Sequence, residues 1–283
     1  MSLFSLEEVR QLSPLFHGRV GGALARKMMR LLSIDAMNAL YERHSHLRGA
    51  SFAHSVLADL GVIYEVYADN PSVVATLEDF GRCPPFITIS NHPYGGIDGL
   101  ILADLFGNLC PRYKLMVNQI LGKVEALSSS FIPVTPMGDA HVAPTSASIL
   151  GVRHALEHIY SGGALGLFPS GAVSDFSLLH RLVADREWQL SVVRLIARVR
   201  VPVIPVHFLD KNSWFYYTLG LIDWRVRLLR LPAELFNKSG SSVRLVIGDA
   251  ISVEEQQKFL ATHTIEEFGM WLRGRVYGMS LKV

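Results

Sequence analysis

Pro85-Phe86-Ile87-Thr88-Ile89-Ser90-Asn91-His92-Pro93-Tyr94-Gly95-Gly96-Ile97-Asp98-Gly99 is the stretch on which the reading of this chain turns. Phe86 to Ser90 is short, largely apolar and uncharged, the pattern of a strand covered on both faces. It runs directly into an imidazole. The Gly95-Gly96 pair then predicts a turn, because glycine serves wherever φ must be positive. Asp98 follows His92 after a spacer of five residues. A buried strand that delivers a His to a turn, with a carboxylate able to fold back on the ring, suits a charge relay. The acid fixes the tautomer and stabilises the imidazolium, and the other ring nitrogen takes a proton from a substrate hydroxyl. Taken singly, His92 also reads as a satisfied turn residue and the glycines as a plain turn. The string as a whole is far more specific than its parts.

From Pro84 onward, short apolar runs alternate with longer helical ones. Strands are predicted over 86–90, 113–117, 131–134, 164–168 and 201–208. One helix is predicted over 145–160, with Ile149, Val152, Leu156 and Ile159 in register and Gly162 as its stop. A second is predicted over 187–200, with Leu190, Val193 and Ile196 facing inward. This alternation predicts an α/β fold with a mixed, largely parallel sheet flanked by helices. In such sheets the chemistry lies in loops at the carboxyl ends of strands, where His92 falls. Ser252 with Glu255, and Thr264 with Glu267, read as capping boxes that open two C-terminal helices. The chain before about residue 68 reads as helical, so an N-terminal helical region over 1–75 and a main domain over 76–283 are expected. Within it, Leu24, Met28, Leu31 and Leu32 make a stripe flanked by Arg26, Lys27 and Arg30. That pattern suits a cap packed on the domain or a helix lying on an anionic bilayer.

A chain of 283 residues can bury one sizeable core. Its hydrophobic content of 49% and mean hydropathy of +0.27 are high for a freely soluble protein. No stretch reads as a spanning helix, since 159–174 is interrupted by Gly162, Gly163, Gly166, Pro169 and Gly171. The net charge of +2 argues against a nucleic-acid partner. Cys83 and Cys110 lack metal-ligand spacing and are expected as reduced thiols. The first residues carry no basic segment leading into an apolar one, so no secretion signal is read. No Gly-x-Ser-x-Gly elbow is present, which argues against a serine hydrolase. Gly163-Ala164-Leu165-Gly166 leads into a strand-like run instead of opening a helix, unlike a dinucleotide loop.

On its Asn91-His92…Asp98 string the chain resembles the glycerolipid acyltransferase superfamily. It is most similar to the hemolysin-like, amino-acid-lipid branch, whose signature reads Asn-His-Pro-x-Gly-Gly-x-Asp-Gly. Phe168-Pro169-Ser170-Gly171-Ala172-Val173-Ser174 resembles that branch's Phe-Pro-Ala-Gly-Glu-Val-Ser block. It departs at Ser170 and Ala172, and it lacks the Arg with which the broader family binds phosphate. Val201 to Phe208 resembles the last block, an apolar strand with an internal Pro. Lys114 and Asn118 stand in the place of the substrate-contacting middle segments.

The resemblance implies an αβα sandwich and acyl transfer from a thioester carrier, acyl-ACP or acyl-CoA, to the hydroxyl of a lyso-lipid. His92 would be the general base and Asp98 its orienting acid. Asn91, Gly95, Gly96, Lys114, Asn118, Pro169, Ser170 and Gly171 would contact substrate. No metal and no bound cofactor is implied, and the protein is expected at the cytoplasmic face of the cell membrane, peripheral or monotopic. The longer spacer and the missing Arg favour a lyso-aminolipid acceptor over lysophosphatidic acid. The rival of another class is a catalytically silent lipid-binding or membrane-scaffold relative, favoured by the altered 169–171 block and opposed by the intact His92/Asp98 pair. Along 221–232, Trp224, Val226 and Leu228 alternate with Arg225 and Arg227. As a strand this presents one apolar and one basic face, suited to a membrane interface or a solvated edge.

Overall fold

A computed structural model describes the chain except residues 1–2, 4, 12–16, 71–72, 74–82, 135–145, 180 and 281–283. The strands of the main sheet are β1 (Ile63–Ala68), β2 (Ile87–Ser90), β3 (Tyr113–Asn118), β4 (Phe131–Val134), β5 (Ala164–Leu167), β8 (Val203–Phe208) and β9 (Ser242–Ile247). Between them lies a small antiparallel hairpin, β6 (Asp175–Ser177) and β7 (Leu182–Ala184). The helices are α1 (Leu6–Gln11), α2 (Gly18–Leu31), α3 (Ile34–His44), α4 (Gly49–Asp59), α5 (Ile97–Leu109) and α6 (Ser146–Tyr160). They continue with α7 (Leu190–Val199), α8 (Trp214–Ile222), α9 (Trp224–Leu229), α10 (Leu231–Asn237), α11 (Val253–Leu260) and α12 (Ile265–Tyr277).

Strand β2 is buried along its whole length and lies in the middle of a seven-stranded sheet of order β1-β9-β8-β2-β5-β3-β4. It pairs in parallel with β8 on one side and β5 on the other. The single antiparallel pairing in that sheet is β8 with β9, so β1 and β9 run against the other five strands. Successive β2 side chains point to opposite faces. Ile87 and Ile89 join one core with Val193 and Ile196 of α7 and Phe268 and Leu272 of α12. The other face is covered by α4 and α5 through Phe52, Val56, Ile101 and Phe106. This is the expected α/β layering, with both faces of the largely parallel sheet covered.

The five forecast strands recur within two residues of their expected bounds, as do both central helices at most of theirs. Glu255 N donates to Ser252 Oγ, and Thr264 and Glu267 close a reciprocal box at the start of α12.

Four expectations need correction. The N-terminal stretch is not wholly helical, because β1 joins the sheet beside β9; the expected boundary between 75 and 76 lies outside the described residues. Helix α2 buries Gly21, Gly22, Ala25 and Met29 and turns Leu24 and Leu31 to solvent, which departs from the reading of that stripe as a cap packed on the domain and leaves its bilayer reading as it stood. The stretch read as a basic-faced strand is helical, α9 entering α10 at Leu231. Cys83 and Cys110 are joined as a disulfide with their Cα atoms 5.0 Å apart, within the usual span for such a bond. A separation of 27 residues gives no sign of that proximity.

Candidate active site

Strand β2 ends at Ser90, and the next two residues leave the sheet at its carboxyl edge. Asn91 is buried and uses both ends of its amide on β8: Nδ2 donates to Phe208 O and Oδ1 accepts from Phe208 N, each at 2.8 Å. It therefore pins the strand end and faces the backbone, away from any substrate role its position suggested.

Gly95 makes the turn at φ 84°, a conformation that favours glycine. A Cβ there would stand 2.8 Å from Leu231 and from Val173, so the turn is also closely covered. Gly96 caps α5, and Asp98 falls in its first turn, where the positive end of the helix dipole favours a carboxylate. Asp98 Oδ2 accepts from Tyr94 N at 3.0 Å and from Gly95 N at 3.3 Å, and Oδ1 accepts from Gly99 N at 2.9 Å. The acid thus shapes the loop that presents His92.

His92 Nδ1 lies 2.9 Å from Asp98 Oδ2, with Asp98 fully buried and the His92 side chain 15% exposed. The approach is close but not linear, and the N–H does not point straight at the oxygen. The imidazole leans on the Phe168 ring at 4.0 Å between centroids. Burial by itself would lower the His92 pKa. The Asp98 carboxylate, and behind it Asp185, outweigh that and hold it above the ordinary histidine value.

Asp185, just beyond β7, is a site residue that sequence reading missed. Its Oδ1 accepts from His92 N at 3.1 Å and from Ser174 Oγ at 2.6 Å. Ser174 N in turn donates to His92 O at 2.9 Å. Asp185 is buried, and loss of hydration raises its pKa against the pull of Ser174 and the His92 amide. The available signal was the pattern Leu182-Val183-Ala184-Asp185, a second short strand followed by an acid as β2 is followed two residues on by a base.

The loop after β5 lies alongside, because β5 and β2 are neighbours. Ser170 Oγ donates to Ala172 O at 2.8 Å, and Gly171 N to Phe168 O at 2.9 Å. Pro169 O accepts from Gln189 N at 2.9 Å. The amides of Gly95 and Gly171 are thus already used within the chain. Those of Gly96 and Ser170 have no partner among the described residues. Ser170 is itself buried, and an unpaired buried N–H is uncommon.

The missing arginine has a counterpart from elsewhere. Buried Arg227 of α9 donates to Ser174 O at 3.2 Å and Val173 O at 3.3 Å and pairs with Asp175. It holds the loop together and is not presented to a ligand. The side chains of 224–226 lie outside the described residues.

Two expected contacts stand apart from this cluster. Lys114 pairs in register with Leu165, at the level of Ile87, toward the opposite edge of the sheet from His92. Asn118 does lie at the carboxyl edge, but two strands away from β2, where its Oδ1 accepts from Ile120 N at 3.0 Å.

Residues 10–280 match the family model described as acyltransferase. The chain belongs to that acyltransferase family. Among its curated relatives is a lyso-glycine lipid O-acyltransferase of Bacteroides thetaiotaomicron, 22% identical over 257 residues, which are 88% of this chain and 87% of the relative. A lyso-glycine lipid O-acyltransferase of Phocaeicola vulgatus is 24% identical over 250 residues, covering 86% of this chain and 82% of its own length. The protein is thus an acyltransferase, as its resemblance implied. The His92–Asp98 pair lies at the edge of the sheet where an enzyme of this layering keeps its chemistry.

Proposed function

We propose that this acyltransferase moves a fatty acyl group from an acyl-ACP or acyl-CoA thioester to the hydroxyl of a lyso-aminolipid. The observation that carries the reading is the 2.9 Å approach of His92 Nδ1 to the buried Asp98 carboxylate, with the ring still reachable from solvent. Asp98 keeps the Nδ1 proton in place, and Nε2 takes the proton of the acceptor hydroxyl as its oxygen attacks the thioester carbonyl. The C–O bond forms, the carbonyl electrons collect on an oxyanion, and the unpaired amides of Gly96 and Ser170 are the donors offered to it. One good donor of that kind contributes about 3–4 kcal/mol. The tetrahedral species collapses with loss of the C–S bond. The thiolate leaves readily because a thiol pKa is about 8.5, and the imidazolium returns the proton.

The acceptor class is supported by the activity named for both relatives and by the commitment of Arg227 to Val173, Ser174 and Asp175 within the loop. No helix among the described residues is long and apolar enough to cross a membrane. The protein would therefore meet its lipid as a peripheral protein. The cytoplasmic face is proposed from the donor, since acyl thioester carriers are intracellular. The Cys83–Cys110 bond does not fit a reducing compartment. Thiol labelling of protein trapped in intact cells is the direct check, and full protection would exclude that face.

Purified protein is incubated with acyl-ACP or acyl-CoA and a set of lyso-lipids. Release of free thiol with formation of the diacylated product, abolished in His92→Ala, is expected. Wild-type protein that binds the lipids without turnover would instead establish the silent relative.

A further inference from the structure

Helix α8, Trp214-Phe215-Tyr216-Tyr217-Thr218-Leu219-Gly220-Leu221-Ile222, carries no charged residue. A helix that is apolar on every side is normally buried on every side. Here only one side is. Tyr216 and Tyr217 face inward and share a small core with Val173, Phe176, Val183 and Leu231. That core rests on the catalytic turn, since Leu231 and Val173 close over Gly95. The outer side is open: Trp214 and Phe215 are each 56% exposed and Ile222 is 81% exposed. The β6–β7 hairpin meets α8 where Phe176 packs edge-on to Trp214 at 5.3 Å. The hairpin loop adds Leu178 and Leu179, the latter 85% exposed. Among the described residues nothing covers these side chains.

We infer that the outer face of α8, with the hairpin loop and Leu229 of α9, is the surface by which this protein lies on an anionic lipid bilayer beside its active site. Two of the exposed aromatic rings carry cations over their faces. Lys211 Nζ sits 4.4 Å from the Trp214 ring centre, and the Arg230 guanidinium sits 5.3 Å from that of Phe215. Exposed Arg181 lies in the hairpin loop, and exposed Arg186, which also pairs with Asp175, follows β7. Rings at head-group depth with Lys and Arg beside them are the chemistry of a membrane interface, and a second protein copy does not require that charge. Because the inner side of the same helix packs over the His92 turn, a lipid held at this surface has a short path to the site. The inference builds on the proposed acyl transfer to a membrane lipid, yet its first test is independent of turnover.

Full-length protein is mixed with vesicles of phosphatidylethanolamine and phosphatidylglycerol, or of phosphatidylcholine alone, and sedimented. Wild type is expected to bind the anionic vesicles more strongly. The variant Phe215→Ser/Ile222→Ser/Leu229→Ser is expected to lose roughly 100-fold in partitioning, given the apolar area removed. Its turnover of detergent-dispersed lyso-lipid is expected to stay near wild type, while turnover of vesicle-embedded lyso-lipid falls with binding. Unchanged binding of the variant overturns the inference. So does binding lost in Leu24→Ser/Leu31→Ser of α2 and kept in the α8 variant. A wild-type dimer in solution that the α8 variant converts to monomer would make the face a contact between copies and also overturn it. Vesicle binding without any turnover leaves the surface standing and removes the acyl-transfer reading.

Discussion

The two loops that meet at the site are built alike and do different work. Each follows a strand of one parallel pair, β2 and β5, and each turns on a glycine with positive φ, 84° at Gly95 and 65° at Gly171. The first is organised by a side chain, because the Asp98 carboxylate gathers the amides of its own turn while facing His92. The second is organised by what surrounds it: Arg227, Gln189 and Asp185 hold its carbonyls and Ser174 from outside. In the proposed mechanism the chemistry is concentrated in the first loop. The second contributes its position and a free amide at Ser170, so its side chains can depart from the family pattern while the site keeps its shape.

That division is broken most directly at the relay. His92→Ala is expected to lower kcat by about 1,000-fold, in the range for removing a general base. Asp98→Asn should cost on the order of 100-fold and also destabilise the fold by about 2–3 kcal/mol, because a buried charged acceptor of backbone amides is lost. Steady-state kinetics with thermal unfolding separate the two effects. Equal loss from Ser170→Ala would show that the second loop acts through its side chain and would break the comparison.

The two glycines sharpen it. Gly95→Ala meets the stiff Val173 side chain and Leu231 as well as a left-handed backbone, for an expected cost of about 2–3 kcal/mol. At Gly171 the added Cβ meets the flexible end of Gln189, so Gly171→Ala should cost only about 1 kcal/mol. Chemical denaturation measures both, and the reverse order would refute the account of how each loop is packed.

The smallest effect is in pH dependence. A base works when neutral, so kcat/KM should rise with pH through a His92 pKa above the ordinary value, held there by Asp98 and then Asp185. Asp185→Asn removes one of those negative charges and should move this limb to lower pH. A limb that stays put would leave Asp185 with a purely structural part. The linked stability has a definite sign. With the folded pKa raised, charged His92 stabilises the fold below its unfolded pKa of about 6.5 and loses that contribution as pH rises through the folded value.

Most of the sheet was legible because its central strands are short, uncharged, mainly apolar runs preceded by Gly or Pro, and both their faces are buried. The helix caps were legible because Ser252 and Thr264 act on residues three positions away. Strand β1 was not, since Ile63-Tyr64-Glu65-Val66-Tyr67-Ala68 lies at the sheet edge with mostly exposed side chains and takes its identity from pairing with β9. The 224–230 stretch alternates like a strand, yet Arg227 found its partners on the 173–175 loop from a short helix.

By itself the sequence determined the layered α/β architecture, the strand that leads into His92, and the acid six residues beyond it across a glycine turn. These rest on local pattern: periodicity, β-branching and the φ that only glycine adopts freely. The tertiary structure alone decided that Asn91 serves the backbone, that Lys114 lies toward the far edge, and that Asp185 stands behind His92 from 93 residues away. It also decided that one side of α8 is left uncovered. Such facts depend on which distant strands become neighbours, and chain-local propensities do not encode that.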